Sequence, residues 1–88
     1  MTTLSTRTRL DRLPPQCWAT VADVHVPDNA ADRELVLRLM ELGLVPGERV
    51  RIVAEALGHN PPLAVRVGHT TFALRRHEAS FILVDPQH

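Results

Sequence analysis

The 88-residue chain has no lysine, no tyrosine and a single cysteine, Cys17. One cysteine excludes an intrachain disulfide and a thiolate-rich zinc site. Aromatic residues are only Trp18, Phe72 and Phe81, 3% of the chain. Grooves for proline-rich peptides and platforms for single-stranded bases are built from aromatic rings, so neither is expected here. No apolar run approaches the ~18 residues of a membrane span, so direct membrane insertion is not expected. Met1 to Arg9 is Thr- and Arg-rich and lacks an apolar h-region, unlike a secretory signal. The expected compartment is the cytoplasm. An excess of charge is also missing: ten Arg balance ten Asp and Glu, for a formal net charge of zero. Nucleic-acid affinity comes largely from phosphate neutralisation, so nucleic acid is not an expected partner.

Catalytic signatures are missing too. There is no Gly-x-x-x-x-Gly-Lys loop, so the chain alone should not hold a nucleotide. No spacing suggests a Ser-His-Asp or Cys-His set, and Cys17 reads as a small apolar residue in a strand. The five histidines are His25, His59, His69, His77 and His88. None pair at i,i+4 on a helix, and a structural zinc site needs four close ligands, so no metal site is assigned. The chain reads as a non-enzyme with no cofactor.

What is present is one small domain. Residues 1–9 are polar and aperiodic and read as a mobile tail; the domain spans 10–85. Leu10 and Leu13 begin it, and Pro14-Pro15 forces an extended path. Residues 17–26 read as a strand, with a change of apolar phase near Asp23 that predicts a bulge. A helix should start between Asp28 and Asp32 behind an Asp or Asn cap. Its apolar stripe is Leu35, Leu39 and Leu42, joined by Val36 and Met40. Glu34 and Arg38 stand at i,i+4 in the favourable order. Gly43 ends the helix in a left-handed conformation, and Leu44 can fold back on the last turn.

Val45-Pro46-Gly47-Glu48 fits a type II turn. Strands follow at 48–57, 63–67, 70–74 and 81–84, with a loop at 58–62, a tight hairpin at Gly68-His69 and one helical turn over 75–80. The class is mostly β with one main helix, inserted after the first strand. Short, closely spaced strands predict a small barrel. Parity and helical period place Val21, Val24, Leu39, Leu42, Val50, Ile52, Val65, Val67, Leu74, Ile82 and Val84 in its core.

The stretch Arg38-Leu39-Met40-Glu41-Leu42-Gly43-Leu44-Val45-Pro46-Gly47 resembles the signature of the FeoA family. Pro62 to Val67 is similar to the family's third strand. Phe72 to Ala79, followed by Ile82 and Val84, is similar to its closing segment. With Leu10-x-x-Leu13, the resemblance covers residues 10–84. The chain departs from the pattern at Pro15-Gln16, where the family usually has glycine. The resemblance implies an SH3-like barrel and a non-enzymatic cytoplasmic role in bacterial ferrous-iron uptake. The implied partner is the cytoplasmic domain of a FeoB-type membrane transporter, whose transport or GTPase activity the protein would modulate and which would recruit it to the inner membrane. Similar barrels end the iron-dependent repressors, so a free-standing regulatory module is the alternative. Self-association is left open.

Two loops combine apolar residues with stiff backbones, and such loops are candidates for partner contact. One carries Leu44 and Val45, although the helix cap already accounts for Leu44. The other carries Leu57, Pro61 and Pro62. Arg75 and Arg76 are expected to flank the second, where they would meet an anionic group on the partner or simply remain solvated.

Overall fold

The computed structural model of the chain describes residues 7–87. In chain order the elements are β1 (Thr8–Arg9), a 3-10 turn (Leu10–Arg12), β2 (Trp18–Val24), α1 (Ala30–Glu41), β3 (Arg49–Glu55), β4 (Leu63–Val67), β5 (Thr70–Leu74), α2 (Arg76–Ala79) and β6 (Ile82–Pro86). The strands form one antiparallel sheet in the order β1-β6-β2-β3-β4-β5. The register of β2 against β6 shifts between Val21 and Asp23, where the apolar phase of the sequence changes. A second shift lies between Ile52 and Ala54 in β3. Each such bulge bends and twists its strand, so the sheet wraps around a single interior.

That interior is one connected cluster. Ala19 and Val21 of β2, Val50 and Ile52 of β3, Leu63, Val65 and Val67 of β4, Leu74 of β5, and Ile82 and Val84 of β6 are buried in it. Leu10 and Leu13 close one side, and Leu39 and Leu44 reach in from the end of α1. The alternate residues of each strand face solvent, the period-2 pattern of a half-buried sheet.

α1 begins at Asn29, whose Oδ1 accepts the Asp32 backbone N–H at 2.8 Å. It ends in a Schellman motif. The Gly43 N–H donates to the Met40 carbonyl at 3.1 Å and the Leu44 N–H to the Leu39 carbonyl at 3.1 Å. Gly43 has φ +114°, a conformation that L side chains avoid. The next turn is closed by the Glu48 N–H on the Val45 carbonyl at 3.1 Å, with Gly47 at φ +97°. This is the type II geometry. Val67 and Thr70 pair across the hairpin, whose first central residue, Gly68, has φ +60°. Glycine at that position suits a II′ turn.

Four expectations need correction. Leu42 is 51% exposed rather than in the core. It is the C-cap, and the reversal at Gly43 sends Leu44, 0% exposed, into the place the stripe would have given it. Val24 is only partly buried, packed against the rim of the core beyond the β2 bulge. Thr8 and Arg9, read as the end of a tail, pair with Val84 and Leu83 as β1, so α1 follows the second strand. Residues 1–6 of that tail lie outside the described residues. Glu34 and Arg38 form no ion pair; on an exposed helix face, fixing two long side chains costs about what the pair returns.

Candidate functional site

β3 and β4 pair as far as Glu55 and Leu63, so residues 56–62 form the connection. Gly58 at φ +121° and Asn60 at φ +52° hold left-handed geometry within it. Glycine accepts this freely and asparagine better than most residues. Pro61 and Pro62 stiffen the return to β4 by fixing φ. Leu57, near the start of the connection, is 100% exposed.

The sheet surface beside this loop is unusually small and apolar. Ala54 pairs with Ala64 and Ala64 with Ala73, so three alanines lie in one row across β3, β4 and β5. They line a shallow cavity of about 260 Å³ with Glu55, Ala56, Pro62 and Leu63. Solvent-facing positions of an antiparallel sheet are normally polar. A row of alanines lets another backbone come close to the sheet.

A second cavity, about 270 Å³, lies on the other side of Pro62 and is lined by Asn60, Arg75, Arg76 and His77. Arg76 forms an ion pair with Glu55 and donates through Nη1 to the Asp11 carbonyl at 3.2 Å. It therefore pins α2 to the end of β3 and to the 3-10 turn. Arg75 has no ion pair among the described residues and is exposed. Its backbone N–H donates to Glu78 Oε1 at 2.6 Å, which starts α2. His77 Nε2 lies 3.1 Å from Asp32 Oδ1 in the first turn of α1. That hydrogen bond, then the one from Asn29 Nδ2, holds the Asp32 carboxyl below its usual value of 3.8. Phe81 is flanked by both rings, edge-on to His77 at 5.1 Å and stacked with His25 at 6.2 Å.

Of the sequence candidates, Leu57, Pro61, Pro62, Arg75 and Arg76 thus belong to one end of the barrel. Leu44 and Val45 do not. Leu44 is wholly buried in the core and Val45 is half-buried, so the turn after α1 offers little apolar surface. Sequence reasoning passed over the alanine row: simple alternation puts Ala54 on the same face as Val50 and Ile52, and the bulge between Ile52 and Ala54 turns it outward beside Ala64 and Ala73. Among the described residues no three His, Cys, Asp or Glu side chains converge to hold a metal ion; His88 lies outside them.

The structure also resembles solved proteins. FeoA from Stenotrophomonas maltophilia, a prokaryotic SH3 domain protein complexed with zinc, is 44% identical over 89% of each chain, with a TM-score of 0.76. FeoA from Chlorobium tepidum is 32% identical over 92% of this chain and 71% of its own, with a TM-score of 0.71. A manganese-dependent transcriptional repressor is 19% identical over 97% of this chain and 44% of its own, with a TM-score of 0.75, a likeness of fold alone. No curated protein matches the sequence. The model of the FeoA domain matches residues 8–86. With its barrel, its helix cap and its closing strand all accounted for by that match, this chain belongs to the FeoA family.

Proposed function

We propose that the protein is a non-enzymatic accessory factor of bacterial ferrous-iron uptake that docks on the cytoplasmic domain of a FeoB-type transporter and modulates its transport or GTPase activity. The FeoA of Stenotrophomonas maltophilia has been suggested to act as a ferrous-iron transport activating factor. Among the described residues no helix is long and apolar enough to cross a membrane. In this reading the transporter is what holds the protein at the membrane.

The observation that carries the docking reading is Leu57, fully exposed beside the Ala54-Ala64-Ala73 row. Burying a leucine side chain is worth about 1.5–3 kcal/mol, none of which this fold collects. The loop is stiffened by Pro61 and Pro62, so a partner loses less entropy in fixing it. Arg75 lies at the rim, where a carboxylate or phosphate of the partner could meet it.

The test is capture from detergent-solubilised membranes together with ferrous-iron uptake. Leu57→Asp and Pro61→Ala/Pro62→Ala variants, first shown to unfold like the parent, should lose both. Full capture and uptake by both variants would place the interface elsewhere. The regulatory alternative rests on the repressor-like fold; capture of a repressor instead of the transporter would favour it.

A further inference from the structure

The other half of the same sheet face carries a different surface. Trp18 pairs with Arg51, Arg51 with Arg66 and Arg66 with Thr71, one row across β2, β3, β4 and β5. Arg49, two residues before Arg51, points to the same face, opposite Thr20. The guanidinium of Arg49 lies 4.7 Å and that of Arg51 5.4 Å from the centre of the Trp18 ring. Like charges directly opposite on neighbouring strands destabilise a sheet, and Arg51 faces Arg66 in this way.

Among the described residues none of these three arginines has an ion pair. Arg51 is held by the Trp18 ring and by Gln16 Oε1, and its Nε is shut off from solvent with no hydrogen-bond partner among the described residues. Arg66 donates to the Gly68 carbonyl at 3.2 Å. Arg49 has only the indole among the described residues. Asp85 is engaged by Arg7 at 3.2 Å, and among the described residues Glu48 forms no ion pair. Elsewhere Arg9 and Arg76 are matched by Asp11 and Glu55. The zero net charge of the chain therefore conceals a local cationic face.

We propose that the Arg49-Arg51-Arg66 face, braced by Trp18, binds an extended acidic peptide segment of a protein partner. Alternate side chains of an extended peptide recur about every 6.8 Å, the same period that separates Arg49 from Arg51 along β3. Guanidinium forks bind carboxylates with charge-assisted hydrogen bonds. A groove of about 320 Å³ between the Gly47-Glu48 turn and the Gly68-His69 hairpin is lined by Trp18, Arg49 and Glu48, so the segment's acidic side chains would be met along the Arg49-Arg51-Arg66 row rather than in the groove. Single-stranded nucleic acid fits less well. It needs a ring for its bases, and the Trp18 ring is already occupied by two guanidinium groups. The proposal does not depend on the transporter or on the 56–62 loop.

The test is a titration of the labelled protein with a short polyglutamate peptide, its polyglutamine counterpart and a short oligothymidylate, followed by NMR. Polyglutamate should shift the Trp18 indole and the Nε resonances of Arg49, Arg51 and Arg66 saturably, and added salt should weaken the effect. Arg51→Gln/Arg66→Gln should weaken binding by about tenfold or more. Arg49→Gln, at an exposed position with no side-chain hydrogen bond among the described residues, should weaken it with amide shifts confined to the neighbourhood of Trp18. Leu57→Asp should bind polyglutamate like the parent, which separates this surface from the docking loop. Equal binding of polyglutamine, tighter binding of oligothymidylate, or unweakened binding by the arginine variants would overturn the proposal.

Discussion

Gln16 plugs the bulge in β3: its backbone N–H donates to the Ile52 carbonyl at 2.8 Å and its Nε2 to the Val53 carbonyl at 2.9 Å. It does so at φ +68°, in the region that favours glycine. The FeoA pattern usually has glycine near this position, so the side chain's grip on β3 offsets the strain that glycine would avoid. Gln16→Ala keeps the strain and loses the side-chain hydrogen bonds, and should cost about 1–2 kcal/mol. Gln16→Gly loses the same bonds but relieves the backbone, and should fall between the parent and Gln16→Ala. Equal denaturation midpoints for the two variants would show that the backbone there is unstrained.

Gly43→Ala should destabilise the fold by about 1 kcal/mol or more. Two causes add: φ is +114°, and a Cβ would sit 3.3 Å from Cγ1 of Val67. Urea unfolding measures it. Trimming the neighbour in Val67→Ala/Gly43→Ala should recover nothing, because that change opens a cavity while the backbone strain stays.

Leu39 and Leu42 separate two readings of α1. Leu39→Ala removes a buried side chain and should cost about 2–5 kcal/mol. Leu42→Ala should cost under about 1 kcal/mol, since the side chain is half in water already. Similar losses in the two thermal transitions would restore Leu42 to the core.

Asp32 makes part of the acid sensitivity. Its native carboxyl is held below 3.8 by the hydrogen bond from His77 first and by Asn29 second. A lowered carboxylate contributes stability that is fully present above the unfolded value and is lost as pH falls through the native one. Asp32→Asn should therefore flatten the decline in stability below about pH 4, with little change in its slope near neutrality. Urea titrations across that range would reveal it. An unaltered acid limb would mean that the contact with His77 does not persist in solution.

The local features of the fold were legible because each has a local cause. Asn29, Gly43, Pro46-Gly47 and Gly68 fix caps and turns through their own backbone preferences, and the phase change near Asp23 announced its bulge. Leu42 was misplaced because the 3.6-residue period continues only as far as the helix does, and the Schellman turn ends it one residue sooner. β1 was hidden because two residues carry no periodicity, and its pairing with β6 is set by register far along the chain. The same holds for the site. Leu57, Pro61 and Pro62 were visible as an apolar, stiff loop. The alanine row, the ion pair of Arg76 with Glu55 and the meeting of Trp18 with Arg49 and Arg51 each required knowing which strand lies beside which.

The place of β6 between β1 and β2 has a consequence for how the protein is made. Its residues, 82–86, are synthesised after those of β1 to β5, yet they join the first two. Until they emerge, β1 has no neighbour and β2 is an open edge beside an unfilled slot, the kind of edge on which chains aggregate. Local pieces such as α1 and the β4-β5 hairpin can form early, but closing so long a loop is slow by its topology. A nascent chain stalled at Phe81 would hold most of the apolar residues of the core and no finished barrel, so the docking of β6 is what closes it.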